Sequence, residues 1–296
     1  MVYRWDAYPV PQVAPGEYSD NTKWGIVPAW GFAIVLESKI PSLRAGTLLF
    51  GFWPMASAPV DLELQESASQ GRWVEISKHR EQVMSVYNTY QERGHVELPA
   101  GLSVDFQKEQ LDHMAWTSLF GATWVTGYLL NRYTFTSDPE KQPAIGPLGK
   151  KIPWAKDNAD ISQAVVVSLS ASGKTARGFA WQVLTKRTQG SGPLAFLQVT
   201  QAPDTIGDVA SRHARIPSEA FGYSQLDAAV NRAAGFKPQK LVIVDFGGRD
   251  NALKTVMGHV NEKPDLKEAQ TLILQVGGEQ KVHPFAIFTL REDNKR

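Results

Sequence analysis

The segment AVVVSLSASGKTARG, residues 164–178, carries the strongest structural signal in the chain. Its apolar start is typical of a buried strand over 164–168, and its end opens a helix predicted over 175–188. Between the two lies a turn of small residues around Gly173. A strand, a small-residue turn and a helix together are the context in which backbone N–H groups at a helix N-terminus bind phosphate. The sequence therefore predicts a phosphate-binding turn.

Two motifs compete for this turn. The P-loop pattern G-x-x-x-x-G-K-T fits at its end but has Ser168 in place of the first glycine. The dinucleotide pattern G-x-G-x-x-G fits if small residues replace two of its glycines. A degenerate turn that binds no nucleotide is the third interpretation, and all three stay open at this point. The candidate cofactor-binding residues of the turn are Ser170, Ala171, Ser172, Gly173, Lys174, Thr175 and Ala176.

Downstream of the turn, apolar runs alternate with helix-length segments. Strands are predicted over 194–200, 240–246 and 271–276, and helices over 225–234 and 251–260. Continuous apolar strands that alternate with helices predict a parallel sheet covered on both faces. This α/β pattern favours the dinucleotide turn over the P-loop, because dinucleotides bind at the carboxyl ends of such strands.

The ends of these strands indicate which cofactor binds. An acidic residue at the end of the second strand would hydrogen-bond the ribose 2′-OH of NAD, but this strand ends at Thr200 without one. Its absence predicts NADP(H), with Thr200 or Lys174 at the 2′-phosphate, although Lys174 is equally interpreted as a solvated residue. Asp245 and Gly247, at the end of a later strand, are further candidates for cofactor binding. Asp245 is also suited to cap the helix that follows.

The first 113 residues have a different character. They are rich in Pro, Gly and Trp, and short β-like runs at 32–36 and 47–52 predict a small, irregular β domain. Residues 114–131 are uncharged, but their polar interruptions predict a buried helix of a soluble domain and no membrane span. The proline-rich stretch over 137–160 predicts an insertion or linker.

Composition excludes several classes of function. The chain has 296 residues, with 31 Lys and Arg against 30 Asp and Glu, and no cysteine. Balanced charge without a basic run argues against a dedicated nucleic-acid binder. Without cysteine, and with six histidines that lack ligand spacing, no metal site is expected. The opening MVYRWD has no apolar signal region, so we expect a cytoplasmic protein.

Several segments give the chain a family resemblance. Residues 27–38 and 43–51 resemble the GroES-like domain of medium-chain dehydrogenases/reductases, through the sequences VPAWGFAIVLES and LRAGTLLFG. The turn over 170–176 and the sequence VDFGG at 244–248 resemble their nucleotide-binding domain. With the helix over 119–130, the turn resembles more narrowly a divergent bacterial and fungal branch of this superfamily.

The resemblance implies an α/β fold with two domains. A GroES-like β domain, shortened at its N-terminus, is expected over 1–113. A Rossmann-type doubly wound parallel sheet is expected over 114–284, with the insertion at about 137–160 inside it. Residues 285–296 are expected to form a C-terminal return segment.

The resemblance also implies a chemistry. In quinone- and enoyl-reductase relatives a threonine before the nucleotide domain lies near the nicotinamide, and Thr126 occupies the matching place. For the catalytic tyrosine that some relatives supply, Tyr8 or Tyr3 is the candidate. Zinc-dependent members use Cys and His ligands that this chain lacks, which implies a zinc-independent mechanism. The expected protein is thus an NADP(H)-dependent reductase of a C=C or C=O bond in an apolar small molecule. A place in secondary metabolism and a homodimeric state are further expectations from the resemblance.

Aromatic residues near the N-terminus suggest where such a molecule binds. Phe52, Trp53 and Met55 are candidates for lining an apolar pocket, and ordinary core packing is the competing interpretation. An alternative function follows from this pocket. It is a redox-neutral isomerase or cyclase, or a small-molecule-binding protein, on a degenerate fold with no nucleotide cofactor.

Overall fold

A computed structural model of the protein describes residues 7–11, 16–56, 59–98, 105–136, 138, 140, 144–146, 154–188 and 190–277. The chain divides into two compact units, Met1–Gly121 and Ala122–Arg296. One contains an antiparallel sheet and the other a parallel sheet with helices, so the predicted α/β class is confirmed. The division falls within the long helix α1 (Lys108–Leu129), where the boundary expected from the sequence also lies.

The sheet of the first unit has five strands. They are β1 (Pro28–Ile34), β2 (Thr47–Pro54), β3 (Leu64–Glu66), β4 (Arg72–Glu75) and β5 (Thr89–His95). Their spatial order is β1-β2-β5-β4-β3, and each neighbouring pair is antiparallel.

Strand β2 separates two groups of aromatic rings, because alternate residues of a strand point to opposite faces of the sheet. The ring of Trp53 lies 4.8 Å from that of Tyr90, between ring centroids. The ring of Phe52 lies 5.4 Å from that of Trp30 instead. A Cβ on Gly51 would come within 2.2 Å of the Tyr90 ring, so the glycine allows this ring to lie directly on the strand.

The sheet of the second unit is parallel. Its strands are β6 (Ala164–Leu169), β7 (Ala195–Val199), β8 (Ser218–Phe221), β9 (Lys240–Phe246) and β10 (Gln270–Gly277). Their spatial order is β8-β7-β6-β9-β10, so the chain builds outward from β6 to β8 and then returns to the other side of β6. The helices of this unit that follow α1 are α2 (Lys156–Ala159), α3 (Lys174–Lys186), α4 (Pro203–His213), α5 (Leu226–Ala234), α6 (Ala252–Glu262) and α7 (Pro264–Lys267).

Helices cover both faces of the parallel sheet. Val165 and Val167 of β6 pack into one core with residues of α5 and α6. Val166 packs on the opposite face with residues of α3 and α4. All six residues of β6 are buried, which explains why the strand is apolar throughout and does not alternate.

The prediction of a helix within 114–131 is confirmed by α1, but the prediction that this helix is buried is wrong. Gly127 is the only buried residue of α1, and the large side chains of Trp116 and Val125 are exposed. Apolar residues lie all around this helix instead of forming one stripe, so composition alone overstated its burial. Among the described residues, no helix is both long and apolar enough to cross a membrane.

Helix α1 crosses α3 where two glycines meet. A Cβ on Gly127 would lie 2.4 Å from the backbone nitrogen of Phe179, and a Cβ on Gly178 would lie 3.2 Å from the Cα of Trp124. Because both contacts are with backbone atoms, the two helices approach more closely than larger residues would permit. The crossing fixes the second half of α1 against the helix that follows the predicted turn.

Part of the expected domain plan lies outside the described residues. This holds for the whole return segment over 285–296 and for much of the insertion over 137–160. Within the described part of the insertion, the Trp154 indole donates a hydrogen bond to the carbonyl oxygen of Thr134 at 2.9 Å. Lys156 forms an ion pair with Glu140 at 2.6 Å.

Candidate functional site

The carboxyl ends of β6 and β9 lie side by side at the centre of the parallel sheet, where Leu169 pairs with Asp245. The turn after β6 leads through α3 to β7 on one side, whereas the turn after β9 leads through α6 to β10 on the other. Ligands of parallel α/β sheets bind in the crevice outside such a reversal of strand order. The candidate residues at 170–176 and 245–247 therefore share one edge of the sheet.

The turn between β6 and α3 is tight and closed by backbone hydrogen bonds. Ser170 has a φ of 59°, in the left-handed region, and its carbonyl oxygen accepts a hydrogen bond from the N–H of Gly173 at 3.0 Å. The N–H of Ala171 donates to the carbonyl oxygen of Val199 at 2.9 Å, which ties the turn to β7. No side chain caps α3 at Gly173, so the N–H groups of its first turn have no side-chain acceptor there.

The structure does not favour the P-loop interpretation of this turn. It requires a glycine at Ser168, where the phosphate-binding loop would begin. Ser168 instead lies inside β6, fully buried, and pairs with Gln198 of β7 and Val244 of β9. The strand thus continues to Leu169, and the connection to α3 is too short to wrap around a triphosphate.

The first residues of α3 have distinct environments. Lys174 is exposed and forms no ion pair with a described residue, so its ammonium group is free to meet an anion. Thr175 is half-buried. Ala176 is fully buried, in the place where the dinucleotide motif needs a small residue for close packing of helix and strand.

Thr200 stabilises the turn after β7 through hydrogen bonds. It is fully buried, its N–H donates to the carbonyl oxygen of Phe221 at 2.9 Å, and its hydroxyl accepts a hydrogen bond from the N–H of Ala202 at 3.2 Å. Of the two residues expected at a 2′-phosphate, Lys174 is therefore the one with an accessible polar group.

Asp245 shapes the turn after β9. One of its carboxylate oxygens accepts hydrogen bonds from the N–H groups of Gly247 at 2.9 Å and Gly248 at 2.6 Å. Helix α6 begins only at Ala252, so the interpretation of Asp245 as a helix cap is wrong. A Cβ on Gly248 would lie 3.3 Å from the Cβ of Leu169, which shows that this turn packs directly against the end of β6.

Thr126 lies next to the crossing of α1 and α3. Its side chain is half-buried, and its hydroxyl donates to the carbonyl oxygen of Ala122 at 3.0 Å, within the same helix. The neighbouring Gly127 contacts α3 at Gly178 and Phe179, more than one helical turn after Gly173. The structure thus places Thr126 on a helix that contacts α3, and its only hydrogen bond among the described residues is within α1.

Tyr8 is part of a buried polar network in the first unit. Its hydroxyl donates to the carbonyl oxygen of Phe52 at 2.6 Å and lies 2.7 Å from the hydroxyl of Tyr90. Arg80 donates to Tyr90 at 2.9 Å and pairs with Glu75 at 3.4 Å, and both charged side chains are almost fully buried. Burial, and then the proximity of Tyr90, raise the pKa of Tyr8 above its usual range. The structure thus places Tyr8 in a core, while Tyr3 lies outside the described residues.

The three residues expected to line an apolar pocket do not come together. Phe52 is buried and points to the opposite face of β2 from Trp53. The Trp53 indole donates a hydrogen bond to the carbonyl oxygen of Gly31 at 3.2 Å. Met55 is 70% exposed. Phe52 is therefore a core residue, and among the described residues it does not line a common pocket with Trp53 and Met55.

One family model matches almost the whole sequence. A family model described as "Protein of unknown function (DUF2855)" matches residues 1–295. The chain belongs to the DUF2855 family. The match covers both compact units of the structure. No curated protein matches the sequence.

This DUF2855 protein also contains a cavity that sequence analysis missed. It has a volume of about 240 Å³ and lies between α3, α4 and the end of β7. One signal was present in the sequence, since Gln198 is the only polar residue of the strand AFLQV. Among the described residues, no group of three His, Asp or Glu side chains is placed to hold a metal ion.

Proposed function

We propose that the protein is a zinc-independent, NADP(H)-dependent reductase of the medium-chain type, which reduces a C=C or C=O bond in an apolar small molecule. The observation that carries the proposal is the strand order β8-β7-β6-β9-β10, with the turn at Gly173 placed at its reversal. Numbered from β6, this order is 3-2-1-4-5, which matches the first five strands of the Rossmann dinucleotide-binding order.

The described residues fit a dinucleotide at this edge of the sheet. The uncapped N-terminus of α3 supplies N–H donors for the pyrophosphate, and the absence of a side chain at Gly173 allows close approach. Lys174 supplies a cation for the 2′-phosphate, and no acidic residue at the end of β7 opposes it. Asp245 positions the neighbouring turn through its two backbone hydrogen bonds.

The cofactor, when bound, supplies the hydride, and the chain's residues position it and exclude water. Thr126 is the side chain that we assign to the developing negative charge on the substrate, because its helix contacts α3, the helix that follows the turn. Its hydroxyl would then exchange its bond to Ala122 for one to the substrate. A cysteine-free chain supplies none of the thiolate ligands of the zinc-dependent relatives. The antiparallel first unit is in keeping with a GroES-like domain.

Calorimetric titration with NADPH, NADH and ATP–Mg²⁺ tests the proposal. We expect micromolar binding of NADPH, which Gly173→Asp abolishes because it fills the turn and adds a negative charge. Gly258→Asp is the matched control, since Gly258 is an exposed helix residue with open space around its Cβ position. NADPH binding that survives Gly173→Asp, or no binding of either dinucleotide to the folded protein, would overturn the proposal. Enones and quinones are the substrates to test after binding is established.

A further inference from the structure

The cavity between α3 and α4, here called the α3–α4 cavity, lies on the face of the sheet that these two helices cover, next to the turn at Gly173. Its walls are mostly apolar and include the indoles of Trp124 and Trp181. Its volume of about 240 Å³ is below the range of drug-sized ligand sites, about 300–1,000 Å³. A molecule with one or two fused rings is therefore the size that it accommodates.

A buried polar residue, Gln198, lies at the floor of the α3–α4 cavity, in the otherwise apolar strand β7. Gln198 is 3% exposed, and its amide nitrogen donates to the hydroxyl of Ser218 at 3.3 Å. Its amide oxygen accepts no hydrogen bond from any described residue. Beside it in the sheet, Ser168 is fully buried, and its hydroxyl also has no partner among the described residues. Because Gln198 lines the cavity, its amide oxygen is available to accept a hydrogen bond from a ligand.

The mouth of the α3–α4 cavity carries positive charge. The exposed Arg177 of α3 lines it and supplies this charge, and the lining contains no carboxylate. Arg177 forms no ion pair with a described residue. A guanidinium group without a partner is suited to bind a carboxylate in a bidentate manner.

We propose that the α3–α4 cavity binds a small aromatic carboxylic acid with a hydrogen-bond donor at its far end. The ring packs against the two indoles, the carboxylate meets Arg177, and the donor reaches the amide oxygen of Gln198. Ser172, of the phosphate-binding turn, lines the same cavity, so its ligand touches the turn without occupying the nucleotide edge. The site is separate from the proposed reductase centre, and it is testable in the absence of any nucleotide.

Calorimetry with 6-hydroxy-2-naphthoate tests the site, because this probe has a carboxylate and a hydroxyl at opposite ends. We expect it to bind at least about tenfold more tightly than 2-naphthoate, which lacks the donor, or 2-naphthol, which lacks the charge. Tenfold corresponds to about 1.4 kcal/mol, close to the upper end of the net contribution of one hydrogen bond between neutral groups, about 0.5–1.5 kcal/mol.

Two variants assign the contacts. Arg177→Gln should weaken 6-hydroxy-2-naphthoate about tenfold and leave 2-naphthol unchanged. Gln198→Met, of similar size, should reduce the affinity of 6-hydroxy-2-naphthoate to that of 2-naphthoate and leave 2-naphthoate unchanged. Arg212→Gln is the control, since Arg212 is exposed on α4 but does not line the cavity.

The proposal is overturned if 6-hydroxy-2-naphthoate fails to bind the folded protein, or if Arg177→Gln and Arg212→Gln have equal effects. Octanoate binding as tightly as the probe would overturn the aromatic assignment. Displacement of the probe by NADPH would show that the cavity belongs to the nucleotide site, which contradicts the separate site proposed here.

Discussion

Replacing Gly127 with alanine tests the crossing of α1 and α3, which holds α3 and therefore the turn at Gly173 in place. The new Cβ would lie 2.4 Å from the backbone nitrogen of Phe179 and 2.6 Å from the backbone carbon of Gly178. Ordinary van der Waals contact begins at 3.4 Å, so the helices must separate by about 1 Å. No flexible side chain is available to move aside, because the opposing atoms belong to the backbone of α3.

The magnitude follows from two opposing contributions. Alanine stabilises a helix interior by about 1 kcal/mol relative to glycine. Overpacking of a tight contact costs about 1–3 kcal/mol. Gly121, in the same helix, provides the matched control, because its Cβ would make only ordinary contacts at 3.6 Å and 3.8 Å. Gly121→Ala should therefore stabilise the protein by up to about 1 kcal/mol, and Gly127→Ala should be less stable than Gly121→Ala by about 1–3 kcal/mol.

Urea unfolding of the two variants measures this difference in stability. Both variants replace a glycine of α1 with alanine, so the contribution of helix propensity cancels. Hydrogen exchange of the α3 amides shows where the destabilisation occurs, since only Gly127→Ala should speed exchange in the first two turns of α3. Gly127→Ala equal to or more stable than Gly121→Ala would refute the crossing, and with it the reason for assigning Thr126 to the candidate site.

Two further predictions concern buried polar groups. Burial raises the pKa values of Tyr8 and Tyr90 above the ordinary value of 10.0, so the native state holds these protons more tightly than the unfolded chain. The resulting stability is fully present below about pH 10 and is lost as pH rises further, by up to about 1.4 kcal/mol per pH unit for each tyrosine. Urea unfolding between pH 8 and 11 checks this, and an equally steep loss in the double variant Tyr8→Phe, Tyr90→Phe would contradict it. Burial lowers the pKa of Arg187 to about 10, so it is charged at neutral pH, and it donates to the carbonyl oxygens of Phe135 and Ser191. Arg187→Met leaves both acceptors unpaired and should lower the free energy of unfolding by at least about 2 kcal/mol. A loss below about 0.5 kcal/mol, less than one typical hydrogen bond contributes, would argue against these contacts.

The parallel sheet was the part of the fold that the sequence predicted best. β6 and β9 are apolar because both faces are buried, and such runs stand out against the helical segments between them. β8 was missed because it has four residues, of which only Phe221 is buried, so it offers neither an apolar run nor alternation. α4 was missed for a related reason, since only Ala210 is buried in it.

The sequence predicted the parts of the candidate site that depend on local backbone geometry. It did not predict the parts that depend on side chains packing together in the fold. A small-residue turn between a buried strand and a helix is a local pattern, so Gly173 and its neighbours were identifiable. The burial of Tyr8 depends on Tyr90 and Arg80, more than 70 residues away in the chain, and local sequence contains no record of such contacts. The cavity at Gln198 is likewise formed by elements that meet only in the fold.

Hydrogen–deuterium exchange with and without saturating NADPH tests the central claim most directly, because it locates the nucleotide as well as detecting it. We expect NADPH to slow exchange in two segments, the turn and first helical turn over 170–177 and the end of β9 with the following loop over 245–251. Slower exchange confined to other segments, or no change at concentrations where binding is saturated, would contradict a dinucleotide site at the reversal of strand order.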